Sequence, residues 1–191
     1  YVTVAIKEVS SVVSDTASNN PMPNSHNQLQ VVAGENNLID DEGTEQVKNI
    51  QEIIIHENYS HAEYSNDIAL LKLTSPLTYN DYVQKVFLSE QDHAENGSCI
   101  ISGWGQTSGT KADLSTLIAA EVTIIHKNHC RNYYGEQHID ETKLCAVFVK
   151  EGVDACMGDR GGPLICTDTG EEYLAGLSSW GKGCIQPEFP E

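Results

Sequence analysis

The run CMGDRGGPLIC, residues 156–166, sets a glycine turn ahead of a short apolar segment, Pro163–Cys166, which stops at the turn signal Thr169-Gly170. An apolar run this short, bounded by turn residues, reads as a buried strand. The pattern recurs on either side of it. Leu29–Ala33, Gln46–His56, Ile68–Leu73, Cys99–Trp104, Ile118–Ile125, Lys143–Phe148 and Tyr173–Trp180 read as further strands, parted by turns such as Glu42-Gly43 and Ser108-Gly109. One short helix is expected at Lys127–Tyr134, with Asn128 as its cap. Strands at this spacing predict an all-β sandwich or barrel. Near the start, Val2, Val4 and Ile6 alternate with Thr3 and Lys7, which permits one more strand. Residues 14–27 have the composition of a loop, and residues 89–98 that of a linker.

The chain has 191 residues, enough for one large domain or two small ones. Its 11 Lys plus Arg against 28 Asp plus Glu give a net charge of −17. Such a surface argues against nucleic acid, whose phosphates need a basic face, and against docking on anionic lipid. No stretch approaches the 18 or so apolar residues of a membrane span. The six cysteines, Cys99, Cys130, Cys145, Cys156, Cys166 and Cys184, form no C-x-x-C pair, which argues against a zinc site. An even number at irregular spacing reads as three disulfides, and so as an oxidising compartment. Two Asn-x-Ser triplets, at Asn58 and Asn96, fit a secreted glycoprotein. The opening apolar run is interrupted by Lys7 and Glu8 and so does not read as a signal-peptide core.

Four segments carry a family resemblance. Cys156-Met-Gly-Asp-Arg-Gly-Gly-Pro163 resembles the nucleophile loop of chymotrypsin-family serine proteases, whose usual form is G-D-S-G-G-P. Asn66-Asp-Ile-Ala-Leu-Leu-Lys-Leu73 resembles the family strand that carries the triad Asp. Ser179-Trp-Gly181 and Ser102-Gly-Trp-Gly105 resemble its substrate-binding edge and a turn of its second barrel. In the family's order these segments make a specific match over roughly residues 28–187, and LQVVAGENNLIDDEGTEQ and YLAGLSSWGKGC are similar to digestive trypsins of arthropods. The resemblance implies an all-β, chymotrypsin-like double antiparallel β-barrel. It also implies disulfides Cys99–Cys166, Cys130–Cys145 and Cys156–Cys184, one of the 15 connectivities open to six cysteines. The domains expected from it are a divergent segment 1–27, the remainder of a first barrel 28–88, a linker 89–98 and a second barrel 99–191. The first barrel and the C-terminal end are expected to be incomplete, the latter stopping before the family's terminal helix.

The departures from the pattern bear most on function. The family mechanism needs a hydroxyl nucleophile, an imidazole to take its proton and an Asp to orient the imidazole. Asp67 matches the Asp, but Arg160 stands where the nucleophile should be. A guanidinium stays protonated, offers no lone pair to attack a carbonyl and cannot form an acyl-enzyme. The family histidine, in an A-A-H-C context upstream of the Asp, has no counterpart before Asp67. His26, in Ser-His-Asn, lacks those flanks and reads as an exposed loop histidine. The disulfide beside the family histidine is gone on both sides, which reads as removal or replacement of a whole block.

Other site residues follow from the resemblance. Gly158 and Arg160 match the two backbone N–H donors of the oxyanion hole. Asp154 matches the base of the pocket that selects Lys or Arg, with Ser179, Trp180 and Gly181 along its wall. Residues 35–45 resemble the calcium loop of trypsins: Glu35, Glu42 and Glu45 would supply carboxylates, and Asn37 and Asp40 backbone oxygens, a hard oxygen set suited to Ca²⁺. The expectation is a secreted, monomeric, proteolytically inactive trypsin-like homologue that binds a protein or peptide. The alternative is an incomplete or misassembled sequence of an active trypsin-like endopeptidase cleaving after Lys or Arg.

Overall fold

The computed structural model describes residues 4–5, 29–88, 97–105, 115–149, 160–168 and 170–181. The chain divides into two compact units, residues 1–85 and 86–191.

The first unit holds one antiparallel sheet in the order β1-β2-β3-β4, made of Val4–Ala5, Gln30–Ala33, Gln46–Ile55 and Ala69–Leu73. Strand β3 is long because the β-branched residues Ile50 and Ile53–Ile55 suit an extended backbone. Between Ile50 and Glu52 its register against β4 shifts. On either side of that irregularity Ile50 and Ile53 face the core, where they meet Leu29, Val31, Leu71 and Leu73. The outward residues include Glu52, opposite Lys72, and Ile54, opposite Leu70.

The second unit holds a six-stranded sheet in the order β5-β10-β9-β6-β7-β8. Its strands are Phe87–Leu88 (β5), Ser98–Gly103 (β6), Ile118–Ile125 (β7), Cys145–Phe148 (β8), Pro163–Asp168 (β9) and Glu171–Leu177 (β10). Cys99, Val122, Ile124, Leu164 and Cys166 form the buried centre, flanked by Ile101, Phe148 and Tyr173. The expected disulfides Cys99–Cys166 and Cys130–Cys145 are both formed. The first joins residues that face each other across β6 and β9. Cys156 and Cys184 lie outside the described residues.

The all-β, chymotrypsin-like architecture is as expected, with one departure: β5 runs parallel to β10, with Phe87 opposite Tyr173 and Leu88 opposite Leu174. Parallel neighbours require a long connection, which the chain between residues 88 and 173 supplies. Strand β6 begins at Ser98. Helix α1 spans Lys127–Tyr134 as expected, but His126 caps it, its Nδ1 accepting the Asn128 N–H. A neutral imidazole nitrogen is an acceptor like the oxygen of a Ser or Asn cap, and preferences drawn from Ser, Thr, Asn and Asp overlook it. The helix ends at Gly135, whose φ of 92° lies where glycine is favoured.

Candidate functional site

Asp67 sits in a tight bend of the first unit. The Ile68 N–H donates to the Asn66 carbonyl at 2.8 Å, so the chain turns about Asp67 immediately before β4. Two non-glycine residues just ahead of it, Tyr64 and Asn66, have φ of 51° and 53°. Asn tolerates that region and Tyr does not, so backbone strain is concentrated beside this carboxylate. The His56 N–H donates to the Ile68 carbonyl at 3.1 Å, and Ser60 and Ser65 form a bridge that closes the loop above it.

In the second unit Arg160 opens a turn into β9. Gly161 has φ of 81°, and its N–H donates to the Ser178 carbonyl at 2.7 Å. The Ser178 N–H returns to the Gly162 carbonyl at 2.9 Å. This reciprocal pair ties the Arg160 turn to the end of β10, and the Arg160 side chain is exposed. Ser179, Trp180 and Gly181 continue from that end, each half-buried. The Trp180 ring meets Tyr134 of α1 edge-to-face at a centroid distance of 5.0 Å and joins the cluster of Cys130, Ile139 and Cys145. The segment that resembles the substrate-binding edge is thus anchored on the helix and its disulfide. Asp154, Gly158 and His26 lie outside the described residues.

The acidic loop between β2 and β3 lies wholly within the described residues. Gly34 has φ of 78°, and a Cβ there would lie 2.5 Å from the Thr44 carbonyl oxygen. Only glycine permits that approach, which is locked by the Thr44 hydroxyl donating to the Gly34 carbonyl at 2.8 Å. The approach brings the two ends of the loop together. Ligand oxygens of Glu35, Glu42 and Glu45 then lie within 4.8 Å of one another. The Glu42 N–H donates to Glu45 Oε1 at 2.7 Å, and Asn36 Nδ2 donates to Glu42 Oε1 at 3.1 Å. Two further oxygens, Glu35 Oε1 and Glu45 Oε2, are buried and accept no hydrogen bond.

The electrostatics of the loop follow from that crowding. Burial pushes the Glu35 carboxyl above the usual carboxylate range, and the charges of Glu45 and Glu42 push the same way. Glu45 is held below its ordinary value, chiefly by the N–H of Glu42. Asn37 and Asp40 act within the loop. Asn37 Oδ1 accepts the N–H groups of Ile39 and Asp40, and Asn37 Nδ2 donates to Asp40 Oδ2 at 3.2 Å. The Asp40 carboxylate is therefore engaged apart from the three glutamates. Sequence reasoning missed how much Gly34 contributes here; an Ala-Gly-Glu step between two strands was the available signal.

Comparison with known proteins identifies the family. The trypsin family model matches residues 16–191. Trypsin-1 of Astacus astacus is 42% identical over 162 residues, which is 85% of this chain and 68% of the relative. Trypsin-1 of Gadus morhua is 38% identical over 162 residues, 85% of this chain and 65% of that protein. Trypsin of Sus scrofa is 37% identical over 164 residues, covering 85% and 69%. The chain spans about two thirds of the length of these relatives. A match of this extent, on two all-β units with Asp67 at the head of β4, the glycine turn ahead of β9 and two disulfides where the resemblance puts them, makes this chain a member of the trypsin family with a chymotrypsin-like fold.

Proposed function

We propose that this chain is a secreted trypsin-like homologue that does not cleave peptides and acts by binding a protein or peptide. Arg160 is the observation that carries this reading. The turn that would present a serine hydroxyl is built, tied at both strands through Gly161, Gly162 and Ser178. At its tip stands a guanidinium, which cannot attack a carbonyl. Loss of the triad nucleophile in a serine protease costs about 2 × 10⁶ in turnover, even where the remaining donors still bind substrate. A shortened but active enzyme would not account for Arg160, which lies inside a loop whose other residues keep the family pattern. Secretion is supported by the two disulfides, which persist in oxidising compartments.

Ca²⁺ fits the Glu35, Glu42 and Glu45 group. Their buried oxygens without hydrogen bonds are what a hard cation would satisfy, and three like charges held this closely need neutralising. Backbone oxygens of Asn37 and Asp40 would complete the set. Bound there, the ion would supply the positive charge that these carboxylates lack.

The test is an assay of the purified chain on Lys and Arg esters and amides, alongside labelling by a fluorophosphonate. No turnover and no label are expected. Turnover that holds constant through successive purification steps would overturn the reading.

A further inference from the structure

We propose that Asn58 is an N-glycosylation site whose side-chain nitrogen carries an oligosaccharide. Asn58-Tyr59-Ser60 has the acceptor pattern, with no proline in the middle. The loop between β3 and β4 presents it in a form that pattern alone does not guarantee. The Tyr59 N–H donates to the His56 carbonyl at 3.0 Å and closes a turn over Glu57 and Asn58. The Asn58 N–H donates to His56 Nδ1 at 3.1 Å, and the Asn58 carbonyl accepts Asn66 Nδ2 at 3.0 Å. The backbone of Asn58 therefore holds the turn, while its exposed carboxamide enters none of the hydrogen bonds among the described residues. Substituting the amide nitrogen breaks nothing that keeps the loop folded.

The surroundings give such a glycan a physical role. The turn lies at the end of the β3–β4 hairpin where Ile54 faces Leu70 on the outer side. These residues are 45% and 65% exposed, and Ile68, whose carbonyl is bonded to His56 at the base of the loop, is 44% exposed. Strand β4 is the edge of its sheet among the described residues. An exposed apolar edge invites pairing with another chain, and a bulky hydrated group at its end opposes that.

The inference rests on the secretory reading and is independent of catalysis. The Asn58 carboxamide nitrogen would attack the anomeric carbon of an oligosaccharide carried on a polyprenyl diphosphate. The new carbon–nitrogen bond replaces the carbon–oxygen bond to phosphate, the amide gives up one proton, and the polyprenyl diphosphate leaves.

The chain would be expressed in insect cells behind a secretion leader and analysed by peptide mapping of secreted and retained fractions. Disulfide formation in the same digest shows passage through the oxidising compartment. The peptide containing Asn58 is expected mostly as a glycopeptide, and peptide-N-glycosidase in heavy-oxygen water should convert that asparagine to a labelled aspartate. Ser60→Ala and Asn58→Gln should each abolish the modification, and Ser60→Thr should keep it. A disulfide-bonded chain with Asn58 mainly unmodified would overturn the proposal. So would a glycan shift undiminished in Asn58→Gln, which would place the sugar at Asn96.

Discussion

At residue 160 a guanidinium stands where the family presents a hydroxyl, and the effect of reversing that one side chain can be stated. Arg160→Ser restores a hydroxyl on a turn still held by the Gly161–Ser178 pair, but a hydroxyl needs a base to take its proton. No histidine in the family's A-A-H-C context precedes Asp67. Arg160→Ser should therefore stay within assay background on Lys and Arg amides, and a large gain would show that some other group serves as base. Glu35 is the second informative residue. Its folded pKa lies above its unfolded value, so its contribution to stability is full below the unfolded carboxylate range and is lost as pH rises through the folded value. Glu45 has the opposite sign: its contribution is present above the unfolded value and is lost as pH falls through the folded one. Without metal at neutral pH, Glu35→Gln removes a charge that Glu45 and Glu42 oppose and should raise the melting temperature by roughly 1–2 °C. The same substitution should weaken the response to calcium, measured as the shift in melting between chelator and added Ca²⁺.

The elements were legible in the sequence wherever apolar alternation was interrupted by turn residues. Strands β2, β3, β4, β6, β7 and β9 and helix α1 fall within two residues of expectation, because each pairs a clear periodicity with a clear stop. Strand β10 ends at Leu177, three residues sooner than the apolar run suggested, because Trp180 is committed to packing on Tyr134. Phe87–Leu88 was not legible: two exposed apolar residues become a strand only through the edge of β10 that they meet. The same distinction holds for the acidic loop. Its glutamates were visible as residues, but their convergence depends on Gly34, whose role is a property of the folded loop. Gly34→Ala should cost about 1–3 kcal/mol through its positive φ, with the clash against the Thr44 carbonyl adding to that. It should also part Glu35 from Glu45 and abolish the calcium response, which chemical unfolding with and without chelator would measure. Wild-type stability in that variant would show that the loop can relax around a side chain.

For the whole molecule, a net charge of −17 on 191 residues means the folded chain repels itself, and among the described residues the Glu35, Glu42 and Glu45 group gathers three of those negative charges at one place. Two kinds of cation relieve it differently. Monovalent salt screens all exposed charges, with a Debye length of about 10 Å at 0.1 M that shortens as salt rises. A divalent ion held by buried oxygens acts at one place and saturates. In a titration of melting temperature against sodium chloride the chain should therefore show a gradual rise, and Glu35→Gln should show nearly the same slope. Against calcium at fixed ionic strength the wild-type chain should show a saturable rise that reaches a plateau, and Glu35→Gln should show little. Magnesium, which demands tighter octahedral geometry and releases water reluctantly, should produce a smaller effect than calcium at equal concentration. Equal, unsaturating responses to calcium, magnesium and matched sodium would mean that the three glutamates are a screened acidic turn. A calcium plateau lost on Glu35→Gln, with the sodium slope retained, would assign the effect to this loop and separate local coordination from the charge of the chain as a whole.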